Sequence, residues 1–178
     1  MNTIYYLNKV GDSMNFLKSL KEKLDLKLLF KNLAIPLAAG IAAGLLTRSA
    51  TDEFMSTVNK PGFMPPSWLF PVAWTILYVL MGITAYLIET TPYNATKKKS
   101  ALTTYYASLF FNFCWPFIFF SFGLYLIAFL WLLVLLLLVV AYTLKYFKIN
   151  KSAAYLNIPY TLWLAFAGAL NLAVYILN

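Results

Sequence analysis

Beyond residue 60 the chain contains three long stretches without a single charged side chain: Pro61–Ile88, Ser100–Leu144 and Ser152–Asn178. The middle stretch has room for two membrane crossings, and a shorter apolar run, Leu33–Thr47, offers one more. An unpaired charge is costly in hydrocarbon, so runs of this kind are rare in soluble chains of this length. In lipid every backbone N–H and C=O must be satisfied within the protein, which such runs achieve as helices. The expected fold is all-α: a bundle of five transmembrane helices with crossings at about residues 28–48, 67–89, 101–122, 124–145 and 153–177.

Composition narrows the options. Only 11% of the 178 residues are charged, against a soluble norm of about 25%. Five crossings use about 100 residues. What is left is a basic amphipathic tail, residues 1–30, ahead of a membrane domain at 31–178. The net charge of +8 would suggest nucleic acid in a soluble protein, but here the lysines sit at helix ends, so no nucleic-acid partner is expected. The single cysteine, Cys114, excludes a disulfide within the chain. The chain has no histidine, which removes the commonest haem ligand and the commonest proton shuttle. Glu89 stands at a helix end and Asp52 and Glu53 in a loop, so no carboxylate relay runs through the crossings. No metal-ligand cluster and no glycine-rich phosphate loop occurs, and no cofactor is required.

Lysine and arginine alternate between the two sides of the expected bundle. Lys9, Lys18, Lys21, Lys23, Lys27, Lys31, Lys97, Lys98, Lys99, Lys145, Lys148 and Lys151 fall on one side, Arg48 and Lys60 on the other. The positive-inside rule puts the twelve in the cytoplasm and with them the N-terminus, and the expected setting of this multi-pass chain is the plasma (inner) membrane. Met14–Lys31 alternates lysine with leucine and phenylalanine and reads as a helix lying on anionic membrane lipids, or as a basic flank that only sets topology. The fourth crossing is nearly pure aliphatic and is expected to face mostly lipid. Gly40 and Gly44 in the first crossing form a small-xxx-small pair, suited to close packing within the monomer or to a dimer contact.

The most informative segment is Lys60–Gly82, KPGFMPPSWLFPVAWTILYVLMG. Its first half is stiffened by proline, which fixes φ and lacks an N–H donor. Pro61, Phe63, Pro65, Pro66 and Trp68 therefore read as a lid over one mouth of the bundle, or as a stiff interfacial turn with Trp68 as an aromatic anchor. In the second crossing Trp74, Tyr78 and Met81 share a helix face. In the third, Asn112, Trp115 and Phe119 do so, with Pro116 expected to kink the helix. In the fifth, Tyr160, Trp163, Ala167 and Asn171 do so, with Pro159 as another kink. Asparagine in hydrocarbon needs a partner or a cavity. If the three stripes converge on a void, its flat π walls and few polar groups suit a large planar apolar ligand such as a tetrapyrrole or sterol. If they do not, they are helix-to-helix packing.

Three ordered motifs resemble the TspO family, also called translocator protein or tryptophan-rich sensory protein. Lys60–Gly82 resembles the family pattern KPxWxPPxW…W…LYxxMG through Lys60, Pro61, Pro65, Pro66, Trp68, Trp74, Leu77, Tyr78, Met81 and Gly82. FNFCWPFIFF is similar to an LNxxWxPxFF-like stretch through Asn112, Trp115, Phe119 and Phe120. IPYTLWLAFAGALN is similar to PYLxWxxFAxxLN through Pro159, Tyr160, Trp163, Phe166, Ala167, Leu170 and Asn171. The resemblance covers about 140 residues to the C-terminus. It implies a five-helix bundle, usually a homodimer, with a pocket capped by the loop after the first crossing. It also implies a porphyrin such as protoporphyrin IX as the ligand. Some bacterial members degrade protoporphyrin in light, with tryptophans implicated that match Trp74 and Trp163.

The chain departs from the family at three places. Phe54 and Met55 stand where members often have a Trp-Tyr pair, and Phe63 where tryptophan is common. No basic residue follows Tyr175, so the sterol motif of animal members is incomplete. Three functions follow as expectations: a tetrapyrrole-binding protein or sensor, a light-dependent porphyrin-degrading enzyme using Trp74 and Trp163, and a transporter of porphyrin or lipid.

Overall fold

A computed structural model describes residues 24–178. The expected tail helix Met14–Lys31 lies mostly outside the described residues, as do Lys9, Lys18, Lys21 and Lys23. The order is α1 (Leu26–Leu46), α2 (Arg48–Thr57), α3 (Leu69–Thr90), α4 (Ala95–Pro116), a π-helical turn (Phe117–Ser121), α5 (Tyr125–Ile149) and α6 (Lys151–Leu177). The described residues contain no strand. Four of these helices, α1, α3, α5 and α6, are long and apolar enough to cross a membrane. By the same measure α4 is not among them: Lys97, Lys98 and Lys99 occupy its first turns, and serine, threonine, tyrosine and asparagine are spread through the rest.

Caps explain most of the boundaries. Asp25 Oδ1 accepts from the Leu28 N–H at 2.9 Å, so α1 starts two residues before the apolar run implies. Asn94 and Asn150 cap α4 and α6 in the same way, accepting from Lys97 and Ala153 at 3.1 Å each. The loop expected over 48–67 is half helix. In α2, Phe54 is buried while Asp52, Glu53 and Ser56 face out, a pattern too short to stand out in the sequence. The backbone stays helical through Pro36 and Pro159. At Pro116, which has no N–H to give, it widens into the π turn, where the Phe122 N–H donates to the Phe117 carbonyl at 3.0 Å. Gly123, with φ +62°, then reverses the chain into α5, in a conformation that costs other residues more.

The five long helices form a ring in the order α1–α3–α6–α5–α4, closed by lighter contact between α4 and α1. Two glycines set the α1–α3 approach. A Cβ on Gly82 would stand 2.7 Å from the Asn32 carbonyl oxygen and 2.8 Å from Leu33 Cα, so the backbones cross there. A Cβ on Gly40 would overlap the Tyr78 ring. Gly44 has nothing within 4 Å, and at that level α1 parts from α3. Gly40 thus serves packing within the monomer, while Gly44 borders open space.

The fourth crossing turned out two-faced. α5 buries Ala128, Leu132, Leu135, Val139, Tyr142 and Tyr146 against α4 and α6, and exposes Ile127, Leu130, Leu137 and Leu144. An all-apolar helix hides this division, because the core and the lipid ask for the same side chains. Lysines from separate segments gather at one end of the ring. Lys31 on α1 reaches Glu89 on α3 at 3.7 Å. Lys98 on α4 donates to the Glu89 and Thr91 carbonyls at 3.0 and 3.1 Å. Lys145 on α5 donates to the Ser100 and Thr104 hydroxyls at 3.1 and 2.8 Å.

Candidate functional site

The half of the bundle away from these lysines encloses a cavity of about 480 Å³. It descends between the helices as far as Tyr78, about 14 Å of helix rise below Leu69. Trp74, Tyr78, Asn112, Trp115, Phe119, Trp163, Ala167 and Asn171 all line it, so the stripes on α3, α4 and α6 converge on a void. Met81 and Tyr160 do not line it: both are fully buried in the core beside it. The helical period that selects them places them one turn too deep.

A polar bridge forms the base. The Tyr78 hydroxyl donates to Asn112 Oδ1, and Asn112 Nδ2 donates to the Tyr160 hydroxyl, each at 2.8 Å. One buried amide therefore ties α3, α4 and α6 together and holds the Tyr78 ring in place. That ring stacks against Trp74 with 5.7 Å between centroids. The Trp74 ring also meets Trp163 at 6.4 Å, nearly perpendicular at 87°. Edge-to-face pairing suits the aromatic quadrupole and leaves one face of each wall free.

On the opposite wall Trp115 stacks on Phe119 at 5.1 Å. The Asn171 amide, oriented so that both its ends are satisfied, accepts from Trp115 Nε1 at 3.2 Å and from the Phe129 N–H at 3.1 Å, and donates to the Tyr125 carbonyl at 2.8 Å. Asn171 thereby fixes the Trp115 ring and joins α6 to the first turn of α5. Trp163 differs from Trp115, since its Nε1 is buried and has no partner. A buried indole N–H normally finds an acceptor; this one has no accessible surface, so it faces the packing behind the ring while other atoms of Trp163 line the void.

α2 and the segment after it close the outer end. Phe54 is 3% exposed and packs on Phe119 (5.1 Å), Phe120 (5.3 Å) and Tyr125 (6.3 Å). Phe54, Met55, Met64 and Ser67 line the cavity, whereas Pro61, Phe63, Pro65, Pro66 and Trp68 do not. Phe63 and Trp68 point outward, 55% and 64% exposed, and Pro61 is buried. The prolines shape the lid and other residues face the cavity. Lys60 closes the end of α2 by donating to the Met55 and Val58 carbonyls at 2.9 Å each. Asn178 Nδ2 donates to the Asn59 carbonyl, and the Asn59 N–H donates to Asn178 Oδ1, both at 3.0 Å, pinning the lid to the end of α6.

Sequence reasoning missed the α1 side. Gly40, Gly44, Ile41 and Leu45 line the cavity, and Ile41 and Leu45 are also 61% and 67% exposed. The cavity therefore has a lateral mouth between α1 and α3. The small residues of α1 carry that signal, because a helix face without side-chain bulk leaves either a close contact or a gap.

The profile of the TspO/MBR family matches residues 32–177. A protein named tryptophan-rich protein TspO from Archaeoglobus fulgidus is 37% identical over 154 residues, covering 86% of this chain and 97% of that relative. A tryptophan-rich sensory protein from Cereibacter sphaeroides is 35% identical over 127 residues, 71% of this chain and 78% of the relative. The translocator protein of Bos taurus is 32% identical over 142 residues, 77% and 82% of the two chains. With most of its length matched by the family and its helices built for lipid, the chain belongs to the TspO/MBR family and is an integral membrane protein.

Proposed function

We propose that this protein binds a planar apolar tetrapyrrole, with protoporphyrin IX as the probe ligand, in the cavity beneath α2. The observation that carries this is the convergence of Trp74, Trp115 and Trp163 from three helices on one cavity, with the Trp74 and Trp163 rings nearly perpendicular. Together they offer flat π walls to a planar macrocycle. The volume of about 480 Å³ falls within the range of roughly 300–1,000 Å³ typical of small-molecule pockets. The lateral mouth at Gly44 suits a ligand that arrives through the bilayer. The chain has no histidine, which favours a metal-free macrocycle over haem.

In this reading α4 and the π turn are the fifth crossing. Ser100–Ser121 carries no charge and rises about 33 Å, enough for a hydrocarbon core of about 30 Å. Five crossings put the lysine-rich end in the cytoplasm of the plasma membrane and the cavity in the outer half.

Titration with protoporphyrin IX should quench tryptophan fluorescence saturably, with micromolar affinity, about −8 kcal/mol. Trp163→Phe should weaken binding by about fivefold, as expected for reduced ring contact at the cavity wall. Absence of saturable quenching in the intact protein rejects the reading. A second reading, light-dependent degradation of the bound porphyrin, is favoured by the same two indoles at 6.4 Å, both at the cavity wall. Illuminated complex should then bleach, and Trp74→Phe should bind porphyrin without bleaching it. Equal bleaching in that variant removes the enzyme.

A further inference from the structure

We infer that the lysine-rich end carries a second binding site, for the phosphate of an anionic phospholipid, in a groove between α1, the end of α3 and the first three turns of α4. The groove has a volume of about 510 Å³. It is separate from the aromatic cavity and shares no lining residue with it. Lys98, Lys99, Thr103 and Tyr106 line it from one face of α4, Leu28 from α1 and Glu89 from α3.

The polar groups here are arranged unlike those elsewhere in the bundle. Helical threonines generally return their hydroxyl to a carbonyl one turn back, as Thr104 does to Ser100 at 3.0 Å and Thr143 to Val139 at 2.6 Å. Thr103 makes no such bond among the described residues, although its position in mid-helix offers the carbonyl of Lys99. Thr103 is exposed and lines the groove. Lys98 gives two donors to the Glu89 and Thr91 carbonyls, which fixes its ammonium at the rim and leaves a third donor. Lys99 is exposed beside it.

The one carboxylate is already engaged. Glu89 Oε2 accepts from Asn32 Nδ2 at 3.1 Å, and Oε1 lies 3.7 Å from Lys31. Lys98 and Lys99 against one glutamate, itself paired with Lys31 outside the lining, leave the groove positive. Leu102 and Tyr106 continue it along α4, away from Lys98 and toward the hydrocarbon, while Leu28 flanks the rim from the first turn of α1. A cationic rim with a free hydroxyl above an apolar channel fits a phosphodiester with acyl chains attached. Basic pockets between transmembrane helices at the cytoplasmic face bind anionic head groups by this physics.

Lys97 supplies an internal control. It lies one residue away and carries the same charge, but it sits 5.9 Å over the Tyr93 ring and does not line the groove. A diffuse surface potential would respond equally to the loss of either lysine. A built site would not.

The test uses the full chain in nanodiscs of phosphatidylcholine containing a minor fraction of phosphatidylglycerol, with retained lipid counted by native mass spectrometry. Wild type should enrich phosphatidylglycerol. Lys99→Gln should lower the enrichment by about fivefold, the effect of one lysine near an anionic surface. Thr103→Val should lower it further, and Lys97→Gln should leave it unchanged. Porphyrin quenching measured on the same samples confirms that each variant is folded. No enrichment in wild type, or equal losses in Lys97→Gln and Lys99→Gln, overturns the site. Displacement of the lipid by equimolar glycerol phosphate would reassign the groove to a soluble phosphate and overturn the lipid assignment.

Discussion

The Tyr78–Asn112–Tyr160 bridge permits a test in which more mutations do less harm. Asn112→Leu removes two hydrogen bonds of 2.8 Å and strands two phenols, 9% and 0% exposed. Each lost bond is worth about 1 kcal/mol, and each stranded buried hydroxyl about 1–3 kcal/mol more. Polar pairs inside membrane bundles measure lower, averaging about 0.6 kcal/mol, because the unfolded helices find other partners. Weighing the two scales, Asn112→Leu should cost about 2–4 kcal/mol. Tyr78→Phe alone should cost about 1 kcal/mol, since Asn112 keeps its bond to Tyr160. The triple variant Tyr78→Phe, Asn112→Leu, Tyr160→Phe replaces the whole network with apolar groups of similar shape, and such replacement is nearly neutral. It should therefore be more stable than Asn112→Leu alone, by about 2 kcal/mol. Reversible unfolding in mixed detergent micelles measures all three. A triple variant no more stable than the single one would show that the amide holds the helices by its shape and not by its bonds.

Further outcomes follow from the same geometry. Gly82→Ala should lose about 1–3 kcal/mol, because its Cβ meets the backbone of α1, whereas Gly44→Ala, with nothing within 4 Å, should unfold like wild type. Thermal unfolding of the two alanine variants side by side checks this. Asn178→Ala releases both 3.0 Å bonds to Asn59 and should speed porphyrin dissociation severalfold in stopped-flow quenching, with little change in unfolding temperature. Phe54→Ala empties the seat formed by Phe119, Phe120 and Tyr125, and should lower stability by about 3 kcal/mol and weaken porphyrin binding together. Loss of stability without loss of affinity would separate the lid from the ligand.

How much of this was legible in the sequence depends on which physical signal each residue carries. Charge placement marked four of the crossings, because a lysine inside hydrocarbon is excluded wherever it falls, whereas α4 begins six residues before the expected third crossing and takes Lys97, Lys98 and Lys99 into its first turns. The period of 3.6 residues brought Trp74, Trp163, Trp115 and Asn171 to one cavity. The same period could not measure depth, so Met81 and Tyr160 were drawn in although they lie in the core. It was also silent about α2. One buried phenylalanine among polar neighbours gives no pattern, and Phe54 looked only like a departure from the family. In the structure it closes the cavity. The prolines of the lid were visible because their backbone chemistry is distinctive, yet proline shapes a loop without deciding which neighbours face inward. Met64 and Ser67 take that place, where Phe63 and Trp68 would have been chosen on hydrophobicity.

The two ends of the bundle are held by different forces, and this bears on where the molecule yields. At the lysine-rich end the helices are cross-linked by directed polar contacts: Asn32 to Glu89, Lys98 to the end of α3, Lys145 to α4, and Asn150 to Thr91 at 2.8 Å. At that end α1 is also locked to α3 by backbone contact at Gly82. Beyond the Tyr78–Asn112–Tyr160 bridge the contacts become aromatic and non-directional, apart from Asn171 and the Asn59–Asn178 pair. Aromatic pairs tolerate sliding, with centroids anywhere from about 4.5 to 7 Å. Opening should therefore hinge near Gly40, with the Gly44 end of α1 and the attached α2 moving away from α3 while the lysine-rich half stays closed. Such a division lets a ligand enter from the bilayer without unsealing the membrane, because the polar plug at the far end never has to part.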